Sequence, residues 1–169
     1  MQVIDNFLPE YQFRQISNVI LSSEFSWKFH DGIVNPNDGQ CQFTHVFFDI
    51  SYGGILSNYY SLFDIVQQKL RVSRLDRIKS NLNPKTVFHR KGGYHTDQRN
   101  PREGYPLHQK TAVLYLNTNN GWTHIKRCGR VKSVANRMVI FDSKLEHTGV
   151  TCTDEMKRVA INFNYDESY

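Results

Sequence analysis

The sequence has 169 residues, 39% of them hydrophobic and 22% charged, so it can bury the core of one domain, which we expect to span residues 1–169. No apolar run approaches the roughly 18 residues of a transmembrane helix, and the first residues carry acids where a secretion signal carries basic charge. These features argue against a membrane partner and predict a soluble, cytoplasmic protein. The net charge of +5 suits an acidic or nucleic-acid partner, but the basic residues are spread along the chain.

Residues 1–76 are predicted to form a helical support region. After a short strand, residues 9–23 place apolar side chains at helical spacing behind a proline, which predicts a first helix. A stretch rich in Gly, Asn, Asp and Pro at 31–40 predicts a loop, and residues 41–50 return to extended structure. A second helix is predicted over 54–72, with an apolar stripe that we assign to core packing. The stripe consists of Ile55, Tyr59, Leu62, Val66 and Leu70.

Residues 77–169 are predicted to form a β core. Short runs of apolar and β-branched residues alternate with Gly- and Asn-rich turns, which is typical of a barrel or a two-sheet sandwich. Together with the first region this predicts a mainly β fold with the helices packed on one outer face. The predicted strands cover residues 77–84, 86–90, 94–98, 110–117, 122–126, 130–142 and 158–165.

The triplet His95-Thr96-Asp97 lies on one of these predicted strands. Residues two apart on a strand project to the same face, so His95 and Asp97 would point together. Two histidines and one carboxylate on one face of an octahedron leave open positions, which suits non-haem Fe(II) oxygenases. Zinc would more often gather three nitrogen or thiolate ligands, and the cysteines are isolated from one another and from this triplet.

A third ligand has to come from elsewhere in the chain. His147, shortly after the predicted strand that ends at Asp142, is our first choice. Spacing alone does not separate it from other histidines of the chain. The alternatives are His30, His45, His108 and His124.

The segment 157–165 alternates between polar and apolar side chains. Its polar members would line a cavity with Arg158 at the floor, and its apolar members would face the core. A buried guanidinium requires an anion, and a dicarboxylate co-substrate would satisfy it with a bidentate contact. Lys157 competes for this role, although its phase on the strand points it to the apolar side. The polar face comprises Arg158, Ala160, Asn162 and Asn164, and the apolar face comprises Val159, Ile161, Phe163 and Tyr165.

Several motifs in this order resemble the iron- and 2-oxoglutarate-dependent dioxygenases, in particular the prolyl 4-hydroxylase-like branch. They are HTD, AVLYLN, NGWTHI, SVANRMVIFDSKLEHTG, KRVAINFNY and the opening VIDNFLPEYQFRQI. The resemblance implies a double-stranded β-helix of the jelly-roll, cupin-like type. It also implies Fe(II) bound by His95, Asp97 and His147, 2-oxoglutarate bound by Arg158 and contacted by Tyr115, and O2 as the second co-substrate. The carboxylate of Asp97 implies a hydroxylase, because related halogenases carry a small residue there.

Two features depart from the family pattern. Collagen-type prolyl hydroxylases place a lysine where Arg158 stands, which keeps Lys157 open as a co-substrate ligand. A Gly-Gly pair of the family corresponds here to Asn120-Gly121, and His124 replaces a residue that is more often apolar or small. His124, with Trp122, is therefore a candidate for the edge of the site, and the alternative for His124 is a hydrogen-bonded structural histidine.

The resemblance also implies a substrate class, namely a protein or peptide side chain such as proline. The polar segment 98–109 would either cover the bound substrate, with Arg99, Arg102 and Tyr105 as contacts, or form a solvated connector. A nucleobase is the alternative substrate, and it would need a basic groove and an aromatic pocket built from Tyr52, Tyr94 and Trp122. A non-catalytic binding domain and a cupin-like isomerase are the alternatives outside this chemistry.

Overall fold

The computed structural model describes residues 1–33, 39–97 and 109–168. In these ranges the helices are α1 (Glu10–Ile20) and α2 (Asp64–Lys69), with 3-10 turns at Ile50–Tyr52 and Tyr60–Phe63. The strands in the same ranges are β1 (Gln2–Ile4), β2 (Lys28–Asp31), β3 (Cys41–Asp49), β4 (Gly54–Ile55), β5 (Val72–Pro84), β6 (Gln109–Tyr115), β7 (Trp122–Ile125), β8 (Gly129–Lys132), β9 (Met138–Asp142), β10 (His147–Val150) and β11 (Lys157–Glu167). No helix within these ranges combines the length and the apolar character needed to cross a bilayer.

Two antiparallel sheets face each other. The large sheet has the strand order β1-β9-β6-β11-β5-β3-β2, with β4 paired to β3. The small sheet has the order β10-β7-β8, and its β10 edge is extended by single bridges from Lys91 to Val150 and from His95 to His147. This arrangement matches the predicted two-sheet β core.

The side chains of β11 alternate between the two sides of the large sheet, as its polar and apolar sequence pattern predicts. Its apolar side chains join the main core with residues of the helices, such as Phe13, Ile16 and Val66. Its polar side chains face the small sheet, where Ala160 packs against Val113 in a second, smaller apolar cluster. The helices therefore cover the outer face of the large sheet, and the inner face is available for a site.

The predicted helix over 54–72 is much shorter in the structure. Gly53 and Gly54 have positive φ angles of 92° and 108°, which are incompatible with a right-handed helix. Helical structure begins only at Tyr60, and Ile55 is 63% exposed. The predicted apolar stripe is thus wrong at its first turn and correct at Val66 and Leu70, which are buried.

The predicted boundary at residue 76 lies inside β5. This strand starts at Val72 and pairs with β3 and β11, so residues 1–76 contribute strands to the large sheet as well as the helices. Strand β3 has buried side chains on both of its faces. This is expected of a strand inside a sheet and not of a supporting segment at its periphery. Residues 34–38 of the predicted loop are not among the described residues.

Three predicted strands also differ in the structure. The predicted strand 94–98 is reduced, within its described residues, to a single bridge at His95. Residues 86–90 form a loop in which Val87 and Phe88 are 85% and 79% exposed, because the chain here bonds to the turn after β10 instead of to a strand. The predicted strand 130–142 is divided into β8 and β9. Asn136 has a φ of 60° in the turn between them. Its side-chain amide accepts a hydrogen bond from Leu8 N–H and donates one to Leu8 O.

Candidate metal and co-substrate site

His95, Asp97 and His147 come together at the inner edge of the small sheet. Their ligand atoms all lie within 4.8 Å of one another. The backbone positions them, because His95 N–H donates to His147 O at 3.1 Å and His147 N–H donates back at 2.9 Å. His95 and Asp97 thus do point together as predicted, although only His95 forms a β bridge there.

Both imidazoles are oriented in the same way. Nδ1 of His95 donates to Gly93 O at 3.2 Å, and Nδ1 of His147 donates to Leu145 O at 3.1 Å. With the proton on Nδ1, a neutral ring would present the Nε2 lone pair to a metal ion. The two Nε2 atoms face Asp97, at 3.9 Å from Oδ1 for His95 and 3.5 Å from Oδ2 for His147. Backbone carbonyls that select the tautomer in this way are a common support for metal-binding histidines.

His147 Nε2 provides a test of whether a metal ion fits. This atom is buried and has no hydrogen-bond partner among the described residues. A buried polar atom without a partner is costly, and a metal ion held between His147, His95 and Asp97 would supply the missing interaction. The three residues therefore fit a divalent ion, and two imidazoles with one carboxylate are the donor set that suits Fe(II).

The Asp97 carboxylate is held by neighbours on the large sheet. Oδ1 accepts from Arg77 at 3.2 Å, and Oδ2 accepts from Asn164 at 3.0 Å and Thr111 at 3.2 Å. Burial raises the pKa of Asp97, but His147, Arg77 and Asn164 outweigh it and hold the pKa well below its usual range. The ligand is therefore ionised without a metal and its orientation is set in advance.

Arg158 lies deep in the same cavity and is buried. Its Nε donates to Ser133 Oγ at 2.9 Å and its Nη2 donates to Thr123 Oγ1 at 3.0 Å. The ring of Tyr115 packs on the guanidinium at 5.4 Å from its centroid. Burial lowers the pKa of Arg158, yet a guanidinium stays charged in proteins. Among the described residues its partners are hydroxyls and a ring, and none is an acid.

Two glycines make room for Arg158. A Cβ on Gly121 would lie 2.8 Å from Arg158 Cδ and 2.8 Å from Val150 O, so no side chain fits there. A Cβ on Gly149 would lie 3.4 Å from Arg158 Nη1, on the side of the guanidinium that faces the cavity. Gly121 is the second residue of Asn120-Gly121, so this half of the family's Gly-Gly pair has a steric reason here.

The remaining predicted site residues are distributed as follows. Tyr115 lies behind Arg158 and bonds Thr123 Oγ1 through its hydroxyl at 2.7 Å, so it supports the guanidinium instead of lining the cavity. Lys157 is on the opposite side of the large sheet, where Nζ donates to Leu21 O at 3.4 Å. This position places Lys157 outside the cavity and agrees with its predicted phase.

The other histidines that were alternatives for the third ligand have different partners. His30 bonds Thr44, and His45 bonds Ser57 and packs in an aromatic cluster. His124 bonds the Tyr94 hydroxyl. None of these three lines the cavity within the described ranges.

Trp122 packs against His89 and Arg130 at the surface of the small sheet, away from the cavity residues. The predicted edge role of Trp122 and His124 thus has no support from the cavity lining. Arg99, Arg102, Tyr105 and His108 are not among the described residues, so the predicted substrate cover over 98–109 stays a prediction.

Sequence reasoning missed the cavity residues of β5. Arg77, Lys79, Asn81 and Asn83 all line the cavity. The signal was present, because these polar residues alternate with Ile78, Ser80 and Leu82, in the same way as the polar face of β11. The prediction of a strand over 77–84 leaves its faces unassigned, although a period of two residues would assign its polar face to the cavity.

Comparison with known proteins supports the fold. No protein-family model matches this sequence and no curated protein sequence is detectably similar to it. Solved structures do match. A viral collagen prolyl hydroxylase from Paramecium bursaria Chlorella virus 1, in complex with 2-oxoglutarate, has a TM-score of 0.61 and 13% identity, with 99% of this chain and 96% of that chain covered.

Two further structures show the range of these similarities. A Trichoplax adhaerens prolyl hydroxylase bound to a peptide fragment of hypoxia inducible factor has a TM-score of 0.58 and 18% identity, over 98% of this chain and 83% of that chain. An α-ketoglutarate-dependent carbocyclase of nogalamycin biosynthesis has a TM-score of 0.66 and 12% identity, over 98% and 78%.

The protein therefore has the double-stranded β-helix fold of the 2-oxoglutarate- and Fe(II)-dependent oxygenases. Prolyl hydroxylases are among the structures that match it over nearly its whole length. The resemblance predicted from the motifs is confirmed at the level of the fold. Fold alone does not define a reaction, so the reaction is indicated by the side chains of the site.

Proposed function

We propose that this protein is an Fe(II)- and 2-oxoglutarate-dependent dioxygenase that hydroxylates an unactivated C–H bond on a protein or peptide side chain, such as that of proline. The observation that carries the proposal is one cavity lined both by the His95, Asp97 and His147 donors and by the buried, acid-free guanidinium of Arg158. A metal ion satisfies the first group and a dicarboxylate satisfies the second.

The chain's own residues have separate tasks. His95, Asp97 and His147 would hold Fe(II), and Arg158 would bind the far carboxylate of 2-oxoglutarate. Thr123 Oγ1 already accepts from Tyr115 and Arg158, so its own hydrogen is free to donate to that carboxylate. When bound, Fe(II) and 2-oxoglutarate supply the O2 activation and C–H hydroxylation chemistry, with succinate and CO2 as products.

The alternatives outside this chemistry have less support. A binding domain without turnover would have no need of a complete metal ligand set whose donor orientations are already fixed. A cupin-like isomerase would have no use for a buried guanidinium that awaits a carboxylate. Both features are present in one cavity, which favours an oxygenase.

A peptide substrate has more support than a nucleobase. Stacking of a flipped base requires aromatic side chains, and no Phe, Tyr or Trp of the described residues lines the cavity. Tyr52 lies on an exposed 3-10 turn, while Tyr94 and Trp122 have partners outside the cavity. One of the matching folds is a prolyl hydroxylase with a bound peptide, which is consistent with this choice.

Anaerobic addition of Fe(II) and 2-oxoglutarate tests the proposal. We expect a weak visible charge-transfer band and, after O2 is admitted, formation of succinate. Peptides that raise succinate formation should then gain the mass of one oxygen atom. A protein that binds neither Mn(II) nor 2-oxoglutarate by calorimetry would contradict the proposal.

A further inference from the structure

Lys79 is a second cation on the cavity floor. It is on the inner face of β5 and lines the cavity together with the metal-site residues. Its backbone pairs with Asn162 of β11, and the next row on this face pairs Arg77 with Asn164, the two residues that bind Asp97. At about 3.4 Å per residue, Lys79 is roughly 7 Å along the strand from that row.

The Lys79 ammonium has no acidic or hydrogen-bonding partner among the described residues. Arg77, two positions earlier, donates to Asp97 and Asn164, whereas no such contact involves Lys79 Nζ. Burial lowers the pKa of Lys79 to about 8, Arg77 adds to this, and Asp97 partly opposes it. Among the described residues this amine is thus a desolvated cation that forms no ion pair or hydrogen bond.

The described residues would give the loaded cavity a positive charge. Fe(II) would balance the two carboxylates of 2-oxoglutarate, and Asp97 balances Arg77. The positive charges of Arg158 and Lys79 then have no negative counterpart among these groups. Asp97 is the only acid among the described cavity residues, so an approaching substrate would meet a positive field.

The side of the cavity toward β2 extends this positive surface. Lys28 and His30 are paired with Thr44 and Gln42 of β3, and Gln42 lines the cavity. Burial lowers the pKa of His30, and the nearby charges of Lys79 and Lys28 lower it further. This face therefore adds Lys28 and His30 to Lys79 among the described residues, while its acid on β3, Asp49, is buried opposite Arg77.

We propose that Lys79 binds a carboxylate of the primary substrate, so that the substrate is an acidic peptide segment with Asp or Glu close to the hydroxylated residue. This inference rests on the proposed function. Arg158 and Thr123 already provide an anion site for the far carboxylate of 2-oxoglutarate, and 2-oxoglutarate binding to a Lys79 variant distinguishes its other carboxylate from that of the substrate.

A carboxylate fits this position better than a phosphate. One ammonium offers three donors on a single charge, and the neighbouring groups, Asn81 and Asn162, are neutral amides. A phosphate dianion is usually met by a bidentate guanidinium or by several cations. The Arg77 guanidinium is already bonded to Asp97 and Asn164.

The test measures peptide binding to the protein loaded with Mn(II) and 2-oxoglutarate, which prevents turnover. Four pools of short peptides share a randomised central residue and differ at its flanks, which carry Glu, Gln, phosphoserine or Lys. We expect the Glu pool to bind about tenfold more tightly than the Gln pool, as for a hydrogen bond between charged groups that are partly exposed to solvent. The phosphoserine pool should show no advantage over the Glu pool.

Three variants make the result specific to Lys79. Lys79→Met should remove the preference for Glu and leave 2-oxoglutarate affinity unchanged, and Lys79→Glu should favour the Lys pool. Lys157→Met is the matched control, because Lys157 is on the opposite side of the sheet, and it should keep the preference for Glu.

The outcomes distinguish this inference from the proposed function. A wild-type protein that binds Mn(II) and 2-oxoglutarate but treats the Glu and Gln pools alike would overturn the inference alone. A stronger phosphoserine pool would replace the carboxylate with a phosphate and also overturn it. Loss of 2-oxoglutarate binding in Lys79→Met would reassign Lys79 to the co-substrate site. A wild-type protein that binds no 2-oxoglutarate would overturn both proposals.

Discussion

Arg77 and Arg158 occupy the two ends of one cavity floor, on neighbouring strands, and their surroundings differ. Arg77 bonds the Asp97 carboxylate at 3.2 Å and the Asn164 amide at 3.1 Å. Among the described residues, Arg158 bonds the hydroxyls of Ser133 and Thr123 and packs on an aromatic ring. One guanidinium is thus neutralised within the fold, and the other is prepared for an external anion.

The difference shows how one residue type serves two tasks. A cation that is paired with a metal ligand fixes the orientation of that ligand. A buried cation without an acid is unfavourable until a ligand arrives, and this cost favours binding of a carboxylate. Lys79 resembles Arg158 in this respect, although it is less buried.

Replacing Asp97 should have the largest effect, because it removes both a metal ligand and the partner of Arg77. We expect Asp97→Ala to abolish Fe(II)-dependent succinate formation and to weaken Mn(II) binding beyond detection by calorimetry. Asp142→Ala is the control, since Asp142 is an exposed aspartate that caps a turn through Lys144 N. Normal succinate formation by Asp97→Ala would remove Asp97 from the ligand set.

Replacing Arg158 should come next, and it should affect only the other end of the floor. Arg158→Met is expected to weaken 2-oxoglutarate binding by roughly 100-fold or more, because the carboxylate would lose its buried charged partner. Mn(II) affinity should be retained, and Lys157→Met should bind 2-oxoglutarate normally. If Arg158→Met binds 2-oxoglutarate as tightly as wild type, the two arginines do not differ in the way proposed.

Replacing Arg77 should weaken metal binding and leave 2-oxoglutarate binding intact, which is the reverse of the effect expected for Arg158. Arg77→Met is expected to lower Mn(II) affinity by about 10- to 100-fold, since it removes an outer-shell partner of a ligand. At saturating Mn(II) the affinity for 2-oxoglutarate should be unchanged. Arg74→Met serves as the control, because Arg74 pairs with Asp76 and Asp166, away from the cavity residues. Equal Mn(II) affinity in Arg77→Met and Arg74→Met would contradict the positioning role.

Substitutions of the two glycines beside Arg158 should have different effects, one on 2-oxoglutarate binding and the other on thermal stability. Gly149→Ala would bring a methyl group to 3.4 Å from Arg158 Nη1, and we expect a several-fold weaker affinity for 2-oxoglutarate with little change in Tm. Gly121→Ala would meet backbone at 2.8 Å and should lower Tm clearly, as overpacking does. Identical thermal shifts in the two variants would argue against this assignment.

The smallest effect concerns pH. Lys79 is protonated below its pKa of about 8 and neutral above it, so the Glu-pool preference should be full at pH 7 and should decline as the pH rises through about 8 to 9. Among the described residues, Arg77 and Asp97 act on the charge of Lys79, and Lys79 in turn acts on His30 of β2. The arginine stays protonated and the carboxylate stays ionised across this window. A preference for the Glu pool that stays constant up to pH 10 would show that Lys79 does not cause it.

The sequence by itself determined the local features of this protein. The alternation in 157–165 predicted which side chains of β11 face the cavity, because a strand has a period of two residues and needs no partner to define its faces. The spacing of His95 and Asp97 predicted two donors on one side for the same reason. The helix over Glu10–Ile20 followed from its apolar period.

The tertiary structure decided which distant residues meet. Five histidines are candidates for the third ligand, and His108 is not among the described residues. Among the described candidates, His147 is distinguished by its backbone bridge to His95, a long-range pairing that spacing does not encode. Only the packed sheet showed that Arg77 meets Asp97 while Arg158 and Lys79 do not meet an acid among the described residues. Faces are properties of one strand, whereas a site is a property of several strands brought together by pairing and packing.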